Sequence, residues 1–190
     1  MNFSEELITK LSQSIQAGEL VYSPTDTIPG LICSALNQQA VNKIYVLKKR
    51  NLQKPPTFII SSLNQLHDLE VNIAGHESIC AKYWPGSVSI VLPIKEPSTN
   101  QYLHRSKNSL AIRLTANEGL RQLVDLTGPL ATSSTNYEGS AAADCAATAR
   151  AYFGESIDLY VDHKPQTGDP SRILKLRSDG STEVIRQAAD

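Results

Sequence analysis

Between residues 27 and 67 the chain carries Lys43, Lys48, Lys49, Arg50 and Lys54 but no aspartate or glutamate, although the 190-residue protein has a formal net charge of -1. Four of these bases fall in K-K-R-N-L-Q-K at residues 48–54, shortly after S-P-T-D-T-I-P-G-L at residues 23–31. Fixed cations beside hydroxyls and a turn suit a phosphate-bearing ligand, because a guanidinium can make two directed bonds to phosphate oxygens and an ammonium is compact charge. Basic residues also complement the negative end of a helix, so residues 48–50 alone equally read as a solvated last turn. Lys54 and the missing acids favour a site.

A second set of polar residues falls at the ends of expected strands: Thr25 and Thr27, then Arg113, then Thr132, Ser133, Ser134 and Asn136. Loops at sheet ends are where α/β folds bind ligands. Each residue also has an ordinary account: Thr25 and Asp26 in a turn, Ser134 and Asn136 capping a helix, Arg113 paired with a surface acid. Their combination carries the functional reading. The chain has no G-x-x-x-x-G-K-[ST] loop, no G-x-G-x-x-G fingerprint and no G-x-S-x-G elbow, which argues against a P-loop ATPase, a Rossmann dehydrogenase or an α/β-hydrolase. His67, His76, His104 and His163 are too dispersed for a zinc motif, and no metal site is expected from protein ligands.

The elements that must hold these residues follow from periodicity and caps. Ser4 caps a helix with Leu7, Ile8, Leu11 and Ile15 on one face, and Gly18 ends it. Residues 19–23 read as a strand interrupted by Pro24, and Asn37 caps a helix bearing Val41, Ile44, Tyr45 and Leu47. Further strands are expected at 57–61, 87–93, 109–114, 130–133 and 159–162, and helices at 63–69, from 77 towards 84, after Asn117, and around 144–153. A terminal hairpin turns at residues 178–181. Short connections between alternating strands and helices predict an α/β fold, and the hairpin predicts a mixed sheet. Residues 95–108 are the least regular and read as a mobile loop near the site.

With 41% hydrophobic residues, 190 residues suffice for one core, so the expectation is a single domain over 1–190. The small net charge excludes a broad electrostatic attraction to nucleic acid or anionic membrane. Three widely spaced cysteines point to free thiols in a reducing compartment, and no run approaches the roughly 20 apolar residues of a membrane span. A cytoplasmic protein is expected.

Five segments in order, namely residues 23–31, K-K-R-N-L-Q-K-P at 48–55, W-P-G-S-V-S-I-V-L at 84–92, A-I-R-L at 111–114 and S-S-T-N at 133–136, resemble the YrdC/TsaC threonylcarbamoyl-AMP synthases. The resemblance covers nearly the whole chain. Its most specific parts are K-x-R-x3-K at Lys48, Arg50 and Lys54 and S-x-N at Ser134 and Asn136. It implies a twisted, mixed open α/β sheet around a deep, positively charged cavity. The implied reaction joins L-threonine, bicarbonate and ATP into threonylcarbamoyl-adenylate, releasing pyrophosphate, for a tRNA modification at position 37. Carried over by motif, Lys48, Arg50 and Lys54 are catalytic, and Arg50, Lys54, Ser109, Ser134, Asn136 and Arg186 form the ATP side. Thr27, Arg113, Thr132 and Ser171 form the threonine side. Mg²⁺ is expected on the nucleotide phosphates, separate tRNA threonylcarbamoyl-transfer proteins are expected as partners, and contact with tRNA is expected to be weak.

The chain departs from the family pattern in three places. Pro29 stands for an aromatic residue, Thr115 for a proline and Thr135 for an alanine. Two alternatives use the same residues: a YrdC-like paralogue that binds nucleotide or RNA without synthase activity, and a carbamoyl-adenylating domain serving another acceptor.

Overall fold

The structure, a computed structural model, describes residues 3–137, 139–177 and 181–187. Six helices, α1 (Glu5–Gln16), α2 (Gln38–Lys48), α3 (Glu77–Tyr83), α4 (Gln101–His104), α5 (Glu118–Thr127) and α6 (Ala146–Phe153), accompany nine strands. The strands are β1 (Val21–Ser23), β2 (Gly30–Ser34), β3 (Thr57–Ile60), β4 (Val88–Pro93), β5 (Ser109–Leu114), β6 (Leu130–Ser134), β7 (Leu159–Tyr160), β8 (Arg172–Leu176) and β9 (Thr182–Arg186). They form one sheet in the order β7-β1-β2-β6-β3-β5-β4-β8-β9. The pairs β1–β7, β3–β5 and β4–β8 are parallel and the other five antiparallel, so the sheet is mixed, as the sequence implies.

Local chemistry sets the helix limits. The Ser4 hydroxyl accepts from the Leu7 amide at 3.2 Å, and Asn37 and Asn117 cap α2 and α5 in the same way at 3.0 Å each. Lys49 ends α2 in the left-handed region at φ 50, a conformation costly for a residue with a Cβ. It turns the chain away and leaves Lys48 as the last helical residue.

Strand alternation divides the core between the two sheet faces. One face carries Val21, Ile32, Ile59 and Leu130 against Leu11 and Ile15 of α1 and Leu123 and Val124 of α5. The other carries Tyr22, Leu31, Cys33, Phe58, Ile112 and Ala131 against α2 and α6. Two residues along β6 and β3 from the helix-covered Leu130 and Ile59, the first face presents Thr132 and Thr57, which pair directly. On that face the apolar floor gives way to a polar one.

Three expectations are corrected. Strand β2 goes unread in the sequence because Pro29 and Gly30 disguise the entry to a five-residue apolar run. The expected helix at 63–69 is one 3-10 turn over Leu63–Leu66. Residues 95–108 are pinned rather than mobile, and Arg105 stacks on the Tyr45 ring at 4.2 Å. Glu70 accepts from the hydroxyls of Ser98 and Thr99 and the amides of Thr99 and Asn100, Leu103 and His104 are buried, and Tyr102 Oη donates to Ala35 O at 3.0 Å. The terminal hairpin is present as β8 and β9, while residues 178–180 of its expected turn lie outside the described residues.

Candidate active site

The threonine-side residues meet in one pocket of about 50 Å³, lined by Thr25, Thr27, Ile28, Pro29, Gly30, Thr57, Arg113, Thr132, Pro170, Ser171 and Arg186. Its floor is the polar stretch of sheet face described above, and its rim is the 24–29 connection. Thr25 Oγ1 lies 3.1 Å from Thr27 Oγ1 and donates to Ile28 O at 2.6 Å, so the connection is folded on its own hydroxyl. Gly30 is needed at the floor: a Cβ there would stand 3.1 Å from Thr132 Oγ1 and 3.2 Å from Ser133 O.

Arg113 is 3% exposed, with Nη2 2.8 Å from Asp26 Oδ1 and Nη1 3.5 Å from Thr27 Oγ1. Burial pulls the guanidinium below its ordinary pKa, and the Asp26 carboxylate acts in the opposite direction. The surface ion pair considered from the sequence is therefore a buried one. Arg186 Nε and Nη2 donate to Ser171 O at 2.9 and 2.7 Å, and Nη2 donates to Ser171 Oγ at 3.0 Å. Burial lowers the Arg186 pKa, and the charges of Arg50 and Arg113 lower it further. Arg186 thus stands among the threonine-side residues, between the two expected subsites.

The expected ATP-side residues assemble around the end of α2. Lys48 is 3% exposed and does not project into solvent. Its ammonium donates to Ser134 O and, at 3.0 Å, to Asn136 Oδ1, and it lies 3.5 Å from Ser134 Oγ. Ser134 Oγ donates to Asn136 Oδ1 at 2.7 Å, and Asn136 Nδ2 donates to Ser140 O at 2.6 Å. The K-x-R and S-x-N segments are therefore one hydrogen-bonded unit. Arg50 donates through Nε to Lys54 O and through Nη2 to Pro55 O, each at 3.0 Å, and Nη1 lies 3.4 Å from Ser133 Oγ. Tyr45 Oη also donates to Lys54 O at 3.0 Å, which braces the loop, while the Lys54 side chain is exposed.

Ser109 lies on the same sheet face as Thr57 and Arg113, towards the start of β3. It starts β5, four residues before Arg113 or about 13 Å along the strand, and lines a hollow with His76, Val91, Lys175 and Arg177. The sequence reading missed Asp26 as a partner of Arg113, and it missed Gln166, whose Nε2 donates to Thr25 O at 2.6 Å and Thr27 O at 2.9 Å. No local pattern marks Gln166, which lies about 140 positions from its partners. Thr-Asp-Thr marks a turn, and only the fold shows what the acid faces.

These groups can bind a small carboxylate beside a polyanion, with hydroxyls and backbone between them. Comparison with known proteins agrees in extent. The Sua5/YciO/YrdC family, described as telomere recombination, matches residues 13–188. The threonylcarbamoyl-AMP synthase of Marinobacter nauticus is 30% identical over 167 residues, covering 86% of this chain and 88% of that protein. The synthase of Idiomarina loihiensis is 31% identical, covering 93% and 95% respectively. The crystal structure of P. abyssi Sua5 complexed with L-threonine superposes with a TM-score of 0.85 at 26% identity, covering 99% of this chain, which spans only 56% of that one. E. coli YciO, at 18% identity and a TM-score of 0.82, shares the fold. With nearly its whole length matched, the chain belongs to the Sua5/YciO/YrdC family.

Proposed function

We propose that this chain is an L-threonylcarbamoyladenylate synthase, acting as one domain over residues 1–190. It forms threonylcarbamoyl-AMP and pyrophosphate from L-threonine, bicarbonate and ATP. The observation that carries this reading is the pocket that unites Thr27, Arg113, Thr132 and Ser171 beside the Lys48–Ser134–Asn136 unit. Relatives of 30% and 31% identity named threonylcarbamoyl-AMP synthase support it.

Arg113 receives the amino-acid carboxylate, with the Thr27 and Thr132 hydroxyls and Ser171 around the substrate. The threonine amine adds to bicarbonate-derived carbon dioxide and loses a proton, and an oxygen of the resulting N-carboxy anion attacks the α-phosphorus of ATP as pyrophosphate leaves. Charge grows on the phosphoryl oxygens, so fixed cations at Arg50, Lys54 and Arg186 stabilise the transition state. Lys48 acts by fixing Ser134 and Asn136, which hold the nucleotide. Mg²⁺ arrives on the phosphates as part of the nucleotide substrate. Arg113 and Arg186 line the pocket and the charge of Arg50 acts on Arg186, which supports a positively charged cavity.

The product serves threonylcarbamoyladenosine formation at tRNA position 37, through separate transfer proteins and with at most weak direct tRNA contact, in the cytoplasm. Among the described residues, no helix is long and apolar enough to cross a membrane. The test is pyrophosphate release with ATP, Mg²⁺ and bicarbonate, comparing threonine, serine and no amino acid, with mass spectrometry of the adenylate. Threonine-dependent release with the matching adenylate is expected. Nucleotide binding without turnover would overturn the reading in favour of a binding paralogue.

A further inference from the structure

We propose that Asp26 and Thr115 form a positioning relay that sets the Arg113 guanidinium for an amino-acid carboxylate, an inference that rests on the synthase reading above. Asp26 does not line the pocket, whereas Arg113 and Thr27 do. Its Oδ1 stands 2.8 Å from Arg113 Nη2, and its Oδ2 accepts from Thr115 Oγ1 at 3.2 Å. Thr115 is fully buried. Its amide donates to Ile60 O at 3.2 Å, and its hydroxyl accepts from the Asn117 amide at 3.1 Å, next to the cap of α5. The relay is therefore anchored in β3 at one end and at the start of α5 at the other.

The main chain on both sides of Asp26 is held independently, since Gln166 donates to the carbonyls of Thr25 and Thr27. A Cβ added at Gly168 would lie 3.1 Å from Thr27 O, so the 166–168 strap presses on the same peptide. Asp26 thus has fixed supports behind it and a long, rotatable side chain in front. A bidentate clamp works only if the guanidinium plane is set before the ligand arrives, and a misplacement of about 1 Å costs on the order of 100-fold in rate. A proline at position 115, as in the family pattern this chain resembles, would supply neither the hydroxyl to Asp26 nor the amide to Ile60. The relay is a feature of this chain's own residues.

Thr115→Val, close in shape, removes the hydroxyl that links Asp26 to α5, and it is expected to raise the threonine KM about 3- to 10-fold, as the loss of one hydrogen bond does. The ATP KM should stay within about twofold, since the nucleotide-side contacts are left intact. Thr115→Ser should restore both. Asp26→Asn is expected to cost more, roughly 100-fold in threonine kcat/KM, because the buried guanidinium loses its counter-charge. If that variant fails to fold, Thr115→Val decides.

Threonine-dependent turnover by the wild-type chain tests the synthase reading. Nitrogen-15 spectra of the Arg113 guanidinium in the substrate-free protein test the relay without substrate. A threonine-specific KM rise with shifted Arg113 resonances, both reversed in Thr115→Ser, supports the relay. Unchanged KM and resonances overturn it, and so does a lowered Tm with both KM values raised together, which is the signature of a merely structural threonine. If the wild type shows no threonine-dependent turnover, the synthase reading falls and the resonances alone decide: a shift in Thr115→Val supports the relay, and no shift overturns it.

Discussion

Arg113 and Arg50 approach the same site but are held by opposite means. Arg113 projects from near the end of the interior strand β5, is 3% exposed and faces the Asp26 carboxylate at 2.8 Å. Arg50 sits on a connection, half-buried, and donates to the carbonyl oxygens of Lys54 and Pro55. Neutral acceptors orient a guanidinium without cancelling its charge, whereas a buried carboxylate both orients it and offsets the cost of burying it. The first arrangement suits a polyanion drawn by net charge, and the second suits a single carboxylate received in fixed geometry.

The largest effect that could break this contrast is on Arg113. Arg113→Ala should lower threonine kcat/KM by at least about 100-fold, the scale of losing a positioned charged group. It should also lower the unfolding free energy by about 3 kcal/mol, because Asp26 is left buried without its partner. Steady-state kinetics and chemical denaturation would read the two losses. Arg50→Ala should cost about as much in ATP kcat/KM, roughly 100-fold, but change stability by no more than about 1 kcal/mol, since half-buried carbonyls regain water. If both variants weakened the same substrate, the division of labour would be wrong.

A smaller effect sharpens the contrast. Gly30→Ala drives a methyl against Thr132 Oγ1 and Ser133 O, and it should raise the threonine KM roughly fivefold, the low end of overpacking costs, with ATP KM unchanged. The smallest effect concerns the Glu70 carboxyl and the segment it holds. Hydroxyl and amide donors from residues 98–100 hold the Glu70 carboxyl below its ordinary pKa. A depressed folded pKa gives stability that is present above the ordinary carboxylate range and lost as pH falls through the depressed value. The protection of the Thr99 and Asn100 amides, relative to their intrinsic exchange at each pH, should fall in acid, and exchange should quicken at neutral pH in Glu70→Gln with turnover unchanged. Turnover that fell in Glu70→Gln would show that the hold of Glu70 on residues 98–100 matters to the reaction.

The caps at Ser4, Asn37 and Asn117 were legible in the sequence because a cap is a contact between residues three apart. The same holds for the alternating strands at 88–93 and 109–114. Strand β2 was not, since its pairing with β6 involves residues about 100 positions away and its entry reads as a turn. In the site, the residue types at Lys48, Arg50, Ser134 and Asn136 were readable, but the burial of Lys48 was not, because a lysine ending a helix is more often solvated.

The sequence by itself determined the inventory: an acid-free basic stretch, hydroxyls at strand ends, a mixed α/β order of elements and the motif set of one family. The tertiary structure alone decided which of these groups share a pocket. It brought Arg186 into one pocket with Thr27, Arg113 and Ser171, and gave Arg113 a partner in Asp26 and Asp26 a donor in Thr115. Those assignments depend on sheet order and strand register. Most residues adjacent in space there, such as Asp26 and Thr115 or Thr25 and Gln166, are about 85 to 140 positions apart in the chain, and no local periodicity encodes that distance.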